Sequence, residues 1–195
     1  MKKVITGICL LAVFALLNGC ATRNVTRISP DQAIDLSGRW NDTDSRLVSQ
    51  QMIGNVLSAR WVAEHARTSG KRPVIVVGLV ENKSHEHINA DTFIKDLEQA
   101  VVSDGSIRLV TAGEKRNELR RERAEQQDFA SPETVKQWGR ELGADFILQG
   151  TINSIVDAYK KNSVVMYQVY LQLTNIETNE IVWIGDKQIK KAIRN

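Results

Sequence analysis

Val164-Val165-Met166-Tyr167-Gln168-Val169-Tyr170-Leu171-Gln172-Leu173-Thr174 is the stretch on which the fold reading turns. Val165, Tyr167, Val169, Leu171 and Leu173 alternate with Gln168, Tyr170, Gln172 and Thr174, a period of two that predicts a strand with one buried and one wetter face. Downstream, Glu177-Thr178-Asn179-Glu180 predicts a hairpin turn, with Asn179 taking positive φ in place of glycine. Residues 181–189 then return as the partner strand, and Gly185 is expected to mark a bulge. Upstream, Phe146-Ile147-Leu148 predicts a buried strand continuing through Ile152 toward Ile155, with Lys160-Lys161 in the loop between the two strands.

The preceding half alternates helices with strands. Asn41, Asp42, Thr43 and Asp44 are all competent N-caps. Behind them Val48, Met52, Val56, Ala59 and Ala63 recur at helical spacing, with Ile53 and Leu57 widening the stripe, as one helical region ended by Gly70. Val74-Ile75-Val76-Val77-Gly78-Leu79-Val80 predicts a strand buried on both faces. Residues 81–89 read as a polar loop, and Asn89 or Asp91 caps a helix carrying Phe93, Leu97, Ala100 and Val101. Asp104-Gly105 turns into a short strand over 107–110. Residues 114–125 are nine-twelfths ionisable and read as a solvated helix. Ser131-Pro132-Glu133 opens a further helix with Val135, Trp138 and Leu142 inward, ended by Gly143. The order α-β-α-β-α-α-β-β-β predicts an α/β (α+β) single domain with a mixed sheet and flanking helices.

The first twenty residues carry the address. Lys2 and Lys3 precede a mostly apolar run over 5–17, and Leu17-Asn18-Gly19-Cys20 follows. That layout is a secretory signal. It resembles the lipobox of bacterial lipoproteins, with Leu17 at −3, Gly19 at −1 and Cys20 as the acylated first mature residue. A run of about 13 apolar residues falls short of the ~20 that span a bilayer. The expected division is a signal peptide over 1–19, a lipidated tether over 20–38 and a folded domain over 39–195. The tether is polar and holds one proline, Pro30, so it lacks the stiffness of a Pro-rich spacer. Fully extended it reaches at most about 65–70 Å.

Removal of residues 1–19 takes away Lys2, Lys3 and no acid, so the formal charge falls from +3 to +1 over 176 residues. A near-neutral chain argues against nucleic acid as partner. With Cys9 in the signal and Cys20 acylated, no thiol is left for a disulfide, redox or metal site. A chain of this length buries about 70% of its unfolded surface in one core.

Little in the sequence points to chemistry. His85-Glu86-His87 lacks a third ligand at a clear spacing and reads as a solvated loop. His65 reads as a surface histidine near a helix end. Ser69-Gly70-Lys71 lacks the upstream glycine and strand of a phosphate loop, and there is no Gly-x-Ser-x-Gly elbow. Asp145 reads as the end of the turn that introduces the strand at Phe146. Lys187, Lys190, Lys191 and Arg194, with Lys160-Lys161, read as edge-protecting basic residues, the sharper alternative being an acidic docking surface or an anionic wall polymer as partner.

Leu36-Ser37-Gly38-Arg39-Trp40-Asn41-Asp42-Thr43-Asp44-Ser45, Val80-Glu81-Asn82-Lys83, Glu86-His87-Ile88 and Gly143-Ala144-Asp145-Phe146-Ile147-Leu148-Gln149-Gly150 resemble the LpoB-type activators of penicillin-binding proteins. The last stretch is also similar to TolB amino-terminal-like and CsgG-like domains. The resemblance implies a TolB-like domain on an outer-membrane lipid anchor, with no enzymatic activity, no cofactor and no metal. The implied partner is a class A penicillin-binding protein, a bifunctional peptidoglycan synthase, and the chain itself is expected to be a monomer. Ala21 after the cysteine favours the outer membrane by analogy with sorting rules. The alternative is an envelope assembly or secretion lipoprotein of CsgG or TolB type. Where the best-studied activators have a long Pro-rich tether, this one is short.

Overall fold

The computed structural model describes residues 25–30, 32–129 and 142–194. Cys20 and the helix expected to open at Ser131 lie outside them, as do Val135 and Trp138. Contacts divide the chain into a unit over Met1–Gln32 and a compact unit over Ala33–Asn195. The described residues of the first unit are exposed. The second unit carries helices α1 (Asp42–Leu57), α2 (Arg60–Ser69), α3 (Ala90–Asp104) and α4 (Gly113–Phe129), with strands β1 (Val74–Lys83), β2 (Arg108–Val110), β3 (Phe146–Tyr159), β4 (Asn162–Asn175) and β5 (Ile181–Arg194).

The strands form one sheet in the order β2-β1-β3-β4-β5. β1 pairs in parallel with β2 and β3, while β3, β4 and β5 are antiparallel neighbours. The mixed sheet with helices expected from the sequence is therefore present, as an α+β fold. Val165, Tyr167, Val169, Leu171 and Leu173 are all buried in the main core, which α1 and α3 cover. Val74 and Val76 are buried too, so β1 is covered on both faces at its start. The other face of β3, β4 and β5 is open: Ile155, Tyr170 and Ile184 are exposed there.

Turn chemistry follows the sequence closely. Asn41 caps α1 in a capping box with Asp44, and Asn89 accepts from the Asp91 amide at the start of α3. Gly70 and Gly105 end α2 and α3 in the left-handed conformation. Lys160 and Asn179 take positive φ in the two hairpin turns.

Four expectations are corrected. The helical region over 42–70 is two helices. Ala59 is extended (ψ 156°), the Ser58 hydroxyl donates to the Gly54 carbonyl, and the Trp61 indole donates to the Val56 carbonyl at 2.8 Å. These bonds replace one helical turn, so Ala63 falls on the exposed side. β1 and β3 run further than expected, to Lys83 and Tyr159, because pairing with a neighbour continues where burial stops. The bulge in β5 lies at Val182, between the pairs Leu173–Trp183 and Thr174–Ile181; Gly185 stays in register opposite Leu171. A Cβ at Gly185 would meet the Trp183 ring at 2.5 Å, so the glycine makes room for an aromatic. Leu142, expected inside, is exposed.

Candidate functional site

The charged residues near the end of the chain divide between two jobs. Lys190 is exposed on the open face, whereas Lys191, one residue on, points to the covered face. Lys191 is 9% exposed, and its ammonium donates to Asp44 Oδ2 at 2.5 Å, to Asp35 Oδ1 at 2.7 Å and to the Arg39 carbonyl at 2.9 Å. Burial pulls its pKa down, but the hydrogen bonds and charges of Asp35 and Asp44 outweigh that and hold it above the ordinary lysine value. The edge-protection reading is thus wrong for Lys191. It fastens the segment before α1, and the α1 N-terminus, to the last strand. Gly38 lies against Ile193 in the same place. Asp35 and Gly38, which fall in the expected tether, are in contact with the last strand.

A second clamp lies beside the first. Glu86 accepts from the Tyr167 hydroxyl at 2.7 Å and from the Trp40 amide at 3.2 Å. The Trp40 ring stands edge-on to Tyr167 with centroids 5.5 Å apart. Burial, then the hydrogen bond and charge of Glu86, raise the Tyr167 pKa. The loop expected to be solvated therefore has Glu86 turned inward, linking the segment before α1 to the centre of the sheet. His87 alone of that trio stays clear of these bonds and is exposed.

His85 sits at the rim of this cluster. Its Nδ1 is 2.6 Å from Ser154 Oγ and its Nε2 is 3.3 Å from Glu86 Oε1. Serine, histidine and carboxylate are thus in line, but the His85 amide also donates to Ser154 Oγ at 2.9 Å. That bond engages the oxygen that would attack, and the Glu86 carboxylate is shared with Tyr167 and Trp40. The arrangement serves to hold the loop against β3.

His65 is not on the surface as expected. Its side chain is 16% exposed, edge-on to Phe146, with Nε2 at 3.6 Å from Asp145 Oδ2. Asp145 also accepts from the Val74 amide at 2.8 Å, so it locks the start of β3 to the start of β1, as its turn position suggested. A cleft of about 370 Å³ opens beside His65, between α2 and the β4–β5 hairpin, with Arg60, Glu64 and Glu180 around an apolar floor of Trp61 and Phe146. Ser69-Gly70-Lys71 ends a helix, so no helix N-terminus faces an anion there.

What the fold presents outward is surface: an open sheet face, a long edge strand and a charged α4. Residues 44–189 match the family described as peptidoglycan-synthase activator LpoB. The chain belongs to that family. Among solved structures, the LpoB C-terminal domain from Escherichia coli is similar at 21% identity with a TM-score of 0.47, covering 78% of this chain and 99% of that one. The NMR structure of E. coli LpoB is similar at 17% identity, TM-score 0.41, over 91% and 86% of the two chains. Lipoprotein GNA1162 from Neisseria meningitidis is similar at 18% identity, TM-score 0.39, over 62% and 83%. No curated protein matches the sequence. Among the described residues, no helix is long and apolar enough to cross a membrane.

Proposed function

We propose that this LpoB-family chain is an outer-membrane lipoprotein facing the periplasm that binds a class A penicillin-binding protein and activates peptidoglycan synthesis without catalysing a step itself. The observation that carries this reading is the family match over residues 44–189. The lipobox ending in Cys20 supports the anchor, with residues 1–19 removed and 20–38 as tether. A fold whose buried polar clusters, about Glu86 and Lys191, hold its own segments together supports action by binding.

Activation by binding is a population shift. The lipoprotein favours whichever conformation of the synthase it binds more tightly, and the size of the effect equals that difference in affinity. The test adds purified mature chain, with Cys20→Ala for solubility, to a class A synthase from the same cell. Glycan polymerisation and peptide cross-linking should both rise. Unchanged turnover, with no complex in a pull-down, overturns the reading. Mass spectrometry of the mature amino terminus tests the anchor separately, since an uncleaved or unacylated chain would refute it.

A further inference from the structure

The cleft between α2 and the β4–β5 hairpin carries charges that the fold itself does not use. Among the described residues, the side chains of Arg60 and Glu180 make no hydrogen bond or ion pair, and the Glu64 carboxylate has only Arg67, at 4.0 Å with both side chains well exposed. Arg60 and Glu64 stand one helical turn apart, about 5–6 Å at Cβ, yet do not pair with each other. Arg60 is also the first residue of α2, where a cation opposes the helix dipole. Helix stability therefore gives no reason for an arginine there.

The walls around these charges are fixed. The Ile176 amide donates to the Asp145 carbonyl at 3.0 Å and the Asn175 amide to the Glu180 carbonyl at 2.8 Å, which holds the hairpin turn against the start of β3. Asn175 Oδ1 accepts from the Glu177 and Thr178 amides at 2.9 and 3.0 Å, closing the turn itself. The bulge at Val182 falls on this wall, and bulges re-aim side chains beside binding sites. Trp61 and Phe146 are buried and stand edge-on with centroids 5.0 Å apart, so the floor is set as well. A preformed concavity of about 370 Å³, with an apolar floor and a few polar groups, has the form of a small-ligand site.

The charges at the rim select the ligand. One guanidinium takes one carboxylate, which its forked donors match. Two carboxylates, Glu64 on α2 and Glu180 on the facing hairpin, take two ammonium groups. The carbon chain between them lies over Trp61 and Phe146. His65 does not enter the count, since its Nε2 is turned to Asp145 at 3.6 Å. A plain anion would meet two carboxylates and a plain cation would meet the guanidinium, so both are disfavoured.

We propose that this cleft binds a diamino acid, one carboxylate and two ammonium groups on a short aliphatic chain, with Arg60 taking the carboxylate and Glu64 and Glu180 the ammonium groups. The same chemistry is offered by the free amino acid and by the amino terminus of a peptide that begins with one. The inference does not depend on the synthase reading.

The test is calorimetric titration of the purified mature chain, carrying Cys20→Ala, with lysine as the probe. Lysine should bind at one site per chain. Cadaverine lacks the carboxylate and 6-aminohexanoate lacks the α-ammonium, so each should bind at least about tenfold more weakly, one charged contact being lost. Arg60→Gln should weaken lysine at least about tenfold without weakening cadaverine, because Arg60 acts only on the carboxylate. Glu180→Gln should weaken both. Neither substitution should lower the urea midpoint, which separates lost affinity from lost structure. The dipeptide Lys-Ala keeps both ammonium groups and moves the carboxylate one residue away. Tighter binding of Lys-Ala than of lysine assigns the peptide terminus as source, and weaker binding assigns the free amino acid. No heat with lysine or Lys-Ala, equal affinities for lysine and cadaverine, or an Arg60→Gln chain that binds lysine and Lys-Ala as before overturns the proposal. None of those results bears on activation of a synthase.

Discussion

Asp44 Oδ2 and Lys191 Nζ lie 2.5 Å apart although 147 positions separate them in the chain. Both are buried, at 5% and 9% exposure. Asp44 also accepts from the Asn41 amide at 3.0 Å, so one carboxylate closes the α1 cap and binds the last strand.

Lys191→Met should therefore be costly, because it leaves the Asp44 charge buried without a cation. Loss of one partner of a buried pair costs about 3–5 kcal/mol, and urea unfolding should register a drop near the lower figure, since the Asn41 amide remains. Asp35→Asn should cost under about 1 kcal/mol, because Asp35 is 57% exposed and water screens its pair.

Alkaline pH should weaken the fold. Lys191 and Tyr167 both have folded pKa values above their ordinary ones, near 10.5 and 10.0. Each contribution is complete below the unfolded value and is lost as pH climbs through the folded one, since the unfolded chain releases the proton first. The urea midpoint should hold steady to about pH 9.5 and then fall, and Tyr167→Phe should make that fall shallower.

Glu86→Ala should loosen the segment before α1. It removes the acceptor of the Trp40 amide and the Tyr167 hydroxyl, at about 1–3 kcal/mol for hydrogen bonds to a charged group. Tryptic cleavage after Arg39 should speed up several-fold relative to the unsubstituted chain, read by mass spectrometry, while cleavage after Lys71 is unchanged.

Gly150→Ala should be among the worst substitutions in the sheet. An added Cβ would meet the Tyr170 carbonyl oxygen at 2.1 Å and Leu171 at 2.6 Å, and backbone cannot step aside cheaply. A loss of about 3 kcal/mol or more is expected. Gly185→Ala meets only the Trp183 side chain and should cost less, with a shift in tryptophan fluorescence.

Ser154→Ala should leave synthase activation intact and cost about 1 kcal/mol in stability, the value of an ordinary hydrogen bond. Loss of activation with normal stability would give the serine a chemical role.

Local signals were the legible ones. The alternation about Tyr167, the cap at Asn41, and the turns at Lys160 and Asn179 are each decided within a few residues, and the structure has them where the sequence placed them. The break at Ser58 was hidden because Ser58 and Ala59 both tolerate helix; the Trp61 indole bond to the Val56 carbonyl decides it. Lys191 was hidden for another reason. Its neighbours Lys187 and Lys190 make the stretch look uniformly solvated, and only the register with Val165 shows which face each lysine takes. Glu86 was misread because its partners, Trp40 and Tyr167, are 46 and 81 residues away.

The strand order also governs when this sheet can form. β3, β4 and β5 are joined by tight hairpins, so their loop-closure cost is small, whereas β1 pairs first with the short β2 and meets β3 only 71 residues downstream, at the Val74–Asp145 contact. Ribosomes deliver α1, β1, α3 and β2 first, so their apolar faces emerge before the β3–β5 meander that completes the sheet beneath them. The five-stranded sheet is thus completed only once the last third of the chain has been made, because β3 is the strand that joins β1 to the two hairpins.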